Sequence, residues 1–153
     1  MAGVASTGLT GIGVILQVSD GESPDTWATV ANVTQLSVGG ATLNLVDATH
    51  LNSPDYFSER KPGLKVSSDW TGTIQWDPTD ATTGSATGLA SFLEARTRET
   101  FRLNAFALGI TTGLECDAYV SELGNIEVTP EGLMTRSFTL APDGKVREVL
   151  LSA

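Results

Sequence analysis

The sequence predicts a mainly β domain: a two-sheet β-sandwich or partly open barrel with one flanking α-helix. Three observations predict it. Apolar and polar side chains alternate with period two in most segments, the longest being Leu64–Asp77. Clusters of Gly, Pro, Asp, Asn and Ser separate those segments, as turns require. Only one stretch, with Leu89, Phe92, Leu93 and Arg96, has helical spacing, so strands outnumber helices about seven to one.

Residues 1–11, MAGVASTGLTG, are small and read as a flexible N-terminal arm. Ile12, Val14, Leu16 and Val18 then alternate with Gly13, Ile15, Gln17 and Ser19, which gives a first strand ending in the turn-rich DGESPD. Trp27–Leu36 supplies a second strand, expected as its hairpin partner because only a polar loop lies between. Gly39-Gly40 marks a break, and Thr42–Val46 forms a short strand.

A long hook follows, residues 46–63, rich in charge and carrying two prolines. Loops beyond about 12 to 15 residues are uncommon in compact domains and tend to bind something or to be disordered. Leu51, Tyr56 and Phe57 are costly to leave in water, and Arg60, Lys61 and Pro62 form a basic foot, so the hook either docks on a neighbouring subunit or folds back over its own sheet. Leu64–Asp77 then reads as one strand of about 46 Å at roughly 3.3 Å per residue. Leu64, Val66, Ser68, Trp70, Gly72, Ile74 and Trp76 make its dry face; Lys65, Ser67, Asp69, Thr71, Thr73, Gln75 and Asp77 make its wet one.

Asp77–Gly88 is a solvated connection, and Thr87 to about Arg98 is the helix, capped by Thr87 or Ser85, with Leu89, Phe92 and Leu93 plugging the sheet. Thr100–Leu108 resumes extended structure. Leu114, Cys116, Ala118 and Val120 continue the alternation to Leu123-Gly124-Asn125, read as a bulge or bend, after which Ile126 and Val128 carry on. Met134, Arg136, Phe138 and Leu140 form a further strand beyond the Pro130-Glu131-Gly132 turn, and residues 143–153 add an edge strand or a C-terminal arm. No domain boundary or internal repeat is visible, so residues 1–153 form one domain.

Composition narrows the function. Eighteen acidic residues against nine basic ones give a formal charge of -9, which disfavours gripping nucleic acid but permits its passage. The single Cys116 excludes an internal disulfide, and its place on an apolar strand face reads as a small buried hydrophobe. No run of about eighteen apolar residues suits a membrane span, and the N-terminus lacks a basic leader, so general secretory export is not expected. His50 is the only histidine, with Asp47 three residues before it; two ligands fall short of the about four a closed metal site needs. No phosphate-binding glycine motif occurs. Neither an enzyme nor a cofactor is expected.

The order of short strand, VDATHLNSPDYFSERKPGL hook, long strand ending in WDPTD, then helix and strands resembles the major tail protein, or tail tube protein, of long-tailed bacteriophages. Val46-Asp47-Ala48-Thr49, Glu59, Pro62-Gly63-Leu64 and Asp77-Pro78 carry the resemblance. It implies a homo-oligomer: hexameric rings stacked into a tube, long strands joined into one ring-spanning barrel, and a hook reaching between subunits through Asp47, His50, Leu51, Tyr56, Phe57, Glu59, Arg60 and Lys61. It further implies tape-measure, tail-tip and tail-terminator partners, a place in the virion tail after assembly in the host cytoplasm, and DNA passing the bore without specific binding. The polar strand face, Lys65, Asp69, Thr71, Thr73, Gln75 and Asp77, suits the lining of such a bore. Two alternatives remain at this stage: the tube of a phage-related secretion system, and a carbohydrate-binding β-sandwich stacking sugars on Trp27, Trp70 and Trp76.

Overall fold

Ten strands and one helix form in the computed structural model, which describes residues 13–22, 24, 26–83 and 88–151. The expected N-terminal arm and the proposed caps Ser85 and Thr87 lie outside these residues. Seven strands follow one path in the main sheet: β1 (Ile15–Ser19), β2 (Trp27–Thr29), β3 (Val33–Ser37), β6 (Trp70–Gln75), β7 (Arg98–Asn104), β8 (Thr112–Glu127) and β9 (Thr135–Pro142). Their order is β2-β1-β7-β8-β9-β6-β3, and β10 (Arg147–Leu150) pairs with β8 beside the path. A second, two-stranded sheet joins β4 (Ala41–Asp47) to β5 (Arg60–Ser67). The fold is therefore mainly β, with two sheets and no closed barrel.

The expected second strand divides in two. Asn32 takes a positive φ of 60°, which turns the chain between β2, on one end of the main sheet, and β3, on the other. The Val30 N–H still donates to the Leu16 carbonyl at 2.8 Å, so the sheet curls until its two ends approach. A seam lined by Val14, Leu16, Val33, Leu36, Val38 and Leu103, with Thr34 and Gln35 among them, marks where they face each other without a ladder.

The predicted single strand Leu64–Asp77 is also two strands, and this is the main correction. Its first half is β5 of the small sheet and its second half is β6 of the large one. The period-two phase runs unbroken across Ser68-Asp69, so the alternation gave no sign of a change of sheet. Burial does: Trp70 and Ile74 are buried, whereas Leu64 and Val66, of the same parity, are 80% and 51% exposed. Gly39 explains the break. It packs against the carbonyls of Ser68 and Asp69 so closely that a Cβ there would lie 2.5 Å from the Asp69 oxygen. The longest strand is instead β8, and its bulges fall between Val120 and Glu122 and between Leu123 and Ile126, where Gly124 and Asn125 stand as expected.

The helix α1 (Leu89–Ala95) is shorter than predicted, because Arg96 enters the left-handed region at φ 57° and β7 begins at Arg98. Seven residues are too few to hold a helix in water alone, so packing holds it. Leu89 is fully buried, and Phe92 and Leu93 pack on the core as expected. Gly88 has no substitute there, since a Cβ would meet the backbone of Thr82 and Thr83 at 2.5 Å. Around α1 the core gathers Trp70, Phe101, Phe138, Leu16, Ile74, Leu140 and Cys116 from the inner face of the curled sheet.

Candidate assembly surfaces

Four strands, β3-β6-β9-β8, form a layer whose register aligns side chains into rows. One face carries Ser37, Thr71, Thr139 and Glu122 in one row, Gln35, Thr73 and Ser137 in a second, and Gln75, Thr135 and Glu127 in a third. Directly opposed residues on neighbouring strands share a face, so these rows are polar throughout and hold two carboxylates and no cation. The reverse face carries Leu36, Gly72, Phe138 and Leu123, then Trp70, Leu140 and Val120, which close the core. Arg136 lies in register with Ile74, and its Nε donates to the Gly124 carbonyl at 2.9 Å.

The layer ends in two unpaired edges. β3 bonds only β6, and β7 pairs with β8 no further than Tyr119, leaving the outer side of residues 121–127 without a strand among the described residues. Open edges of this kind invite pairing with another chain.

The β4–β5 hairpin leaves this layer at Ser37 and rejoins it at Trp70. Every residue of β4 is exposed, as is all of β5 except the half-buried Ser67. Among the described residues it is tied down by the Ser67 hydroxyl donating to the Gly144 carbonyl at 2.9 Å and, at its base, by the Ser68 N–H donating to the Gly40 carbonyl at 2.7 Å. A lone two-stranded hairpin is marginal in water.

Only residues 48–59 of the hook are loop, because Val46, Lys61 and Pro62 belong to the hairpin ladder. The tip has order of its own. Ser53, buried, accepts from the His50 N–H and donates to Glu59 Oε2 at 3.0 Å, while His50 Nδ1 accepts from the Asn52 N–H and Nε2 faces Glu59 at 3.3 Å. Thr49 holds the Asp47 carboxyl below its ordinary range by hydrogen bonding, and Arg60, opposite in register, adds to the effect. Leu51, Tyr56 and Phe57 point into solvent; the first two are 99% and 98% exposed.

The six residues predicted for one wet face are thus divided. Thr71, Thr73 and Gln75 lie on the polar layer, Lys65 opposes Leu43 in the hairpin, and Asp69 sits in the break. Asp77 follows β6 and accepts from the Thr79 N–H and hydroxyl, which lower its pKa. The acidic residues that do share rows with Thr71 and Gln75, Glu122 and Glu127, were missed, since only the bulged register of β8 brings them there.

The outward face of β7, β8 and β10 is clasped by ion pairs. Arg98 and Arg147 both reach Asp117, at 2.9 and 3.3 Å, and Arg147 also reaches Glu115 at 3.1 Å. The carbohydrate-binding alternative, which needs Trp27, Trp70 and Trp76 exposed, loses its stacking surface: Trp70 is wholly buried, and the Arg102 guanidinium covers Trp27 at 4.0 Å from the ring centroid. Among the described residues no group of His, Cys, Asp and Glu is placed to hold a metal ion, and no helix is long and apolar enough to cross a membrane.

Residues 15–148 match the family described as the lambda phage tail tube protein. The chain belongs to that family. This tail tube protein is accordingly a structural component of a virion tail. Its fold is similar to that in the tail of an empty gene transfer agent particle, solved with C6 symmetry (TM-score 0.70, 13% identity, 93% of this chain and 99% of the other). It is also similar to a chain of an extracellular contractile injection system's sheath-tube complex (TM-score 0.67, 12% identity, 95% and 93% covered). A third likeness is to a chain of the anti-feeding prophage baseplate (TM-score 0.63, 10% identity, 95% and 97% covered). No curated protein sequence matches the tail tube protein.

Proposed function

We propose that this tail tube protein polymerises as stacked hexameric rings into a conduit for DNA, with the polar face of β3, β6, β9 and the end of β8 turned to the bore. The observation that carries the reading is a layer with two open edges and one polar face whose rows hold no cation, Arg136 bordering it with its guanidinium bound to the Gly124 carbonyl. β8 and β3 run in opposite directions, because three antiparallel pairings separate them. Rotation about a common axis therefore brings β3 of one copy antiparallel to residues 121–127 of the next, a head-to-tail contact that closes into a ring. Six copies of four strands at about 4.8 Å per strand give a circumference of about 115 Å and a diameter of about 37 Å. Strand tilt widens this, and inward side chains narrow it, leaving room for double-helical DNA. The C6 symmetry of the similar gene transfer agent tail favours six.

Glu122 and Glu127 repel the phosphates, so the polymer passes without sticking. Six copies carry about 6 × -9 = -54, a self-repulsion that apolar contacts and the hairpin cations must offset. The hairpin tip, Leu51, Tyr56 and Phe57 above all, reaches a neighbouring subunit. Tape-measure, tail-tip and terminator proteins set the ends of the tube. No catalysis is assigned: His50 is engaged with Glu59, and burial pushes the Cys116 thiol up to about 12. The injection-system tube shares the fold, but the family match favours a phage-type tail. Negative-stain microscopy of the concentrated protein tests the proposal. Hollow tubes are expected; a protein that stays monomeric at every concentration and salt would overturn it.

A further inference from the structure

The seam between β1 and β3 is a groove of about 500 Å³ that the described chain leaves open. Val33, Leu36 and Val38 on one wall and Leu103 on the other pack against the core, yet all four are only half-buried, as is Val14 at the entry to β1. Half-covered aliphatic side chains leave part of their burial free energy unrealised. A ladder from β1 to β3 would cover them, but it would also occupy the free edge of β3. The open seam is what keeps that edge available.

The opposite edge of the layer carries side chains that suit the groove. On the core-facing side one row runs Leu36, Gly72, Phe138 and Leu123, and the next runs Val33, Ile74, Arg136 and Ile126. Each row begins on β3 with an aliphatic group at the groove and ends on β8 with another. Leu123 is half-buried and Ile126 is 38% exposed, because β7 stops pairing at Tyr119. Arg136, between them and the core, is drawn off to the Gly124 carbonyl. When β3 of one copy pairs with residues 121–127 of the next, the sheet continues and its faces keep their character. Leu123 and Ile126 of the neighbour then arrive on the core-facing side of β3, at the mouth of the groove.

We propose that the β1–β3 seam is a socket for Leu123 and Ile126 of the ring neighbour, which seat against Val14, Leu16 and Leu103 and so complete a core that one chain leaves unfinished. The edge ladder needs β3 alone; the socket brings β1 and β7 into the joint. It also sets the register, since a one-residue slip would turn Glu122 and Glu127 into an aliphatic groove that cannot pair a carboxylate. The socket rests on the tube reading above, and its test separates the two.

Val14→Cys with Ile126→Cys reports the contact. Within one molecule a short bismaleimide cannot join them: Ile15 is level with Asn104 and Leu103 with Leu114, and Ile126 lies about 40 Å further along β8 at roughly 3.3 Å per residue. The native Cys116 is buried, its thiol pushed up to about 12, and does not compete. Tubes of the double variant are expected to give a cross-linked ladder of up to six chains on denaturing gels, and dilute monomer none. Ile126→Asn is expected to raise the protein concentration needed for tubes about tenfold or more, with an unchanged monomer by circular dichroism and urea midpoint. That variant decides the matter if the cysteine pair itself fails to assemble. Leu36→Cys is expected to react with maleimide in the monomer and to be protected in tubes. Tubes without the cross-link, or normal assembly of Ile126→Asn, would overturn the socket and leave the tube reading intact. So would a Leu36→Cys already protected in the monomer, since residues 1–12 or another part of the same chain would then fill the groove. Absence of tubes from the wild-type protein would overturn both.

Discussion

Removing the hairpin is the most informative perturbation, because the structure makes it a large deletion with a small expected cost. Residues 41–67 are 27 of 153, yet they pack principally on each other. The Ser68 N–H donates to Gly40 at 2.7 Å, the geometry that closes a two-residue turn, so Asn-Gly in place of 41–67 joins the ends without strain. The deletion removes one hydrogen bond to the body, from Ser67 to Gly144, worth about 1 kcal/mol. Against this, shortening the closed loop from 27 residues to two lowers its closure cost by up to about 2 kcal/mol. The remaining domain is expected to lose no more than about 1 kcal/mol in urea denaturation. Its capacity to form tubes is expected to vanish. A loss above about 3 kcal/mol would refute the reasoning by making the hairpin part of the core, and tubes of ordinary length would refute it by making the hairpin dispensable.

Three further outcomes follow from the same geometry. Gly72→Ala places a Cβ 2.6 Å from the Phe138 ring and 2.7 Å from the Gln35 carbonyl, and is expected to cost about 1–3 kcal/mol; adding Phe138→Leu relieves the ring contact, so the two changes are expected to be non-additive in a double-mutant cycle. Hydrogen bonds from Arg147 and Thr100 hold the Asp117 carboxyl below its ordinary 3.8, so its contribution is full above about pH 4 and lost as pH falls through the lower folded value; Asp117→Asn is expected to cost about 1 kcal/mol at neutral pH and progressively less as pH falls through that folded value, read from urea midpoints. Glu122→Lys is expected to leave tubes intact but make them retain duplex DNA at low ionic strength and release it as salt rises, measured by co-sedimentation.

What the sequence disclosed follows from what alternation can encode. Within β6, β9 and residues 114–120 of β8 the buried residues are those of the expected parity, because one face of each strand meets the core. Parity carries no information about which sheet a strand joins. Leu64 and Val66 share their phase with Trp70 and Ile74, yet lie on a hairpin with no second layer. The signal that separates them is the pairing of Gly39-Gly40 with Ser68-Asp69, two turn-forming pairs that meet at the hairpin base. Asn32 split a second expected strand through one positive φ, a conformation asparagine accepts more readily than most residues. The polar face was legible strand by strand for Thr71, Thr73 and Gln75. Glu122 and Glu127 were not, because their alignment depends on two bulges whose lengths alternation does not fix.

The central claim is that copies of this chain complete one another through β3 and the far half of β8. A helical cryo-electron microscopy reconstruction of the tube, resolved to side chains, tests it directly. The account predicts β3 of one subunit hydrogen-bonded antiparallel to residues 121–127 of its ring neighbour, with Thr71, Thr73 and Glu122 facing the bore. A tube in which those two edges remain apart, or in which Trp70 and Phe138 line the bore, would contradict it.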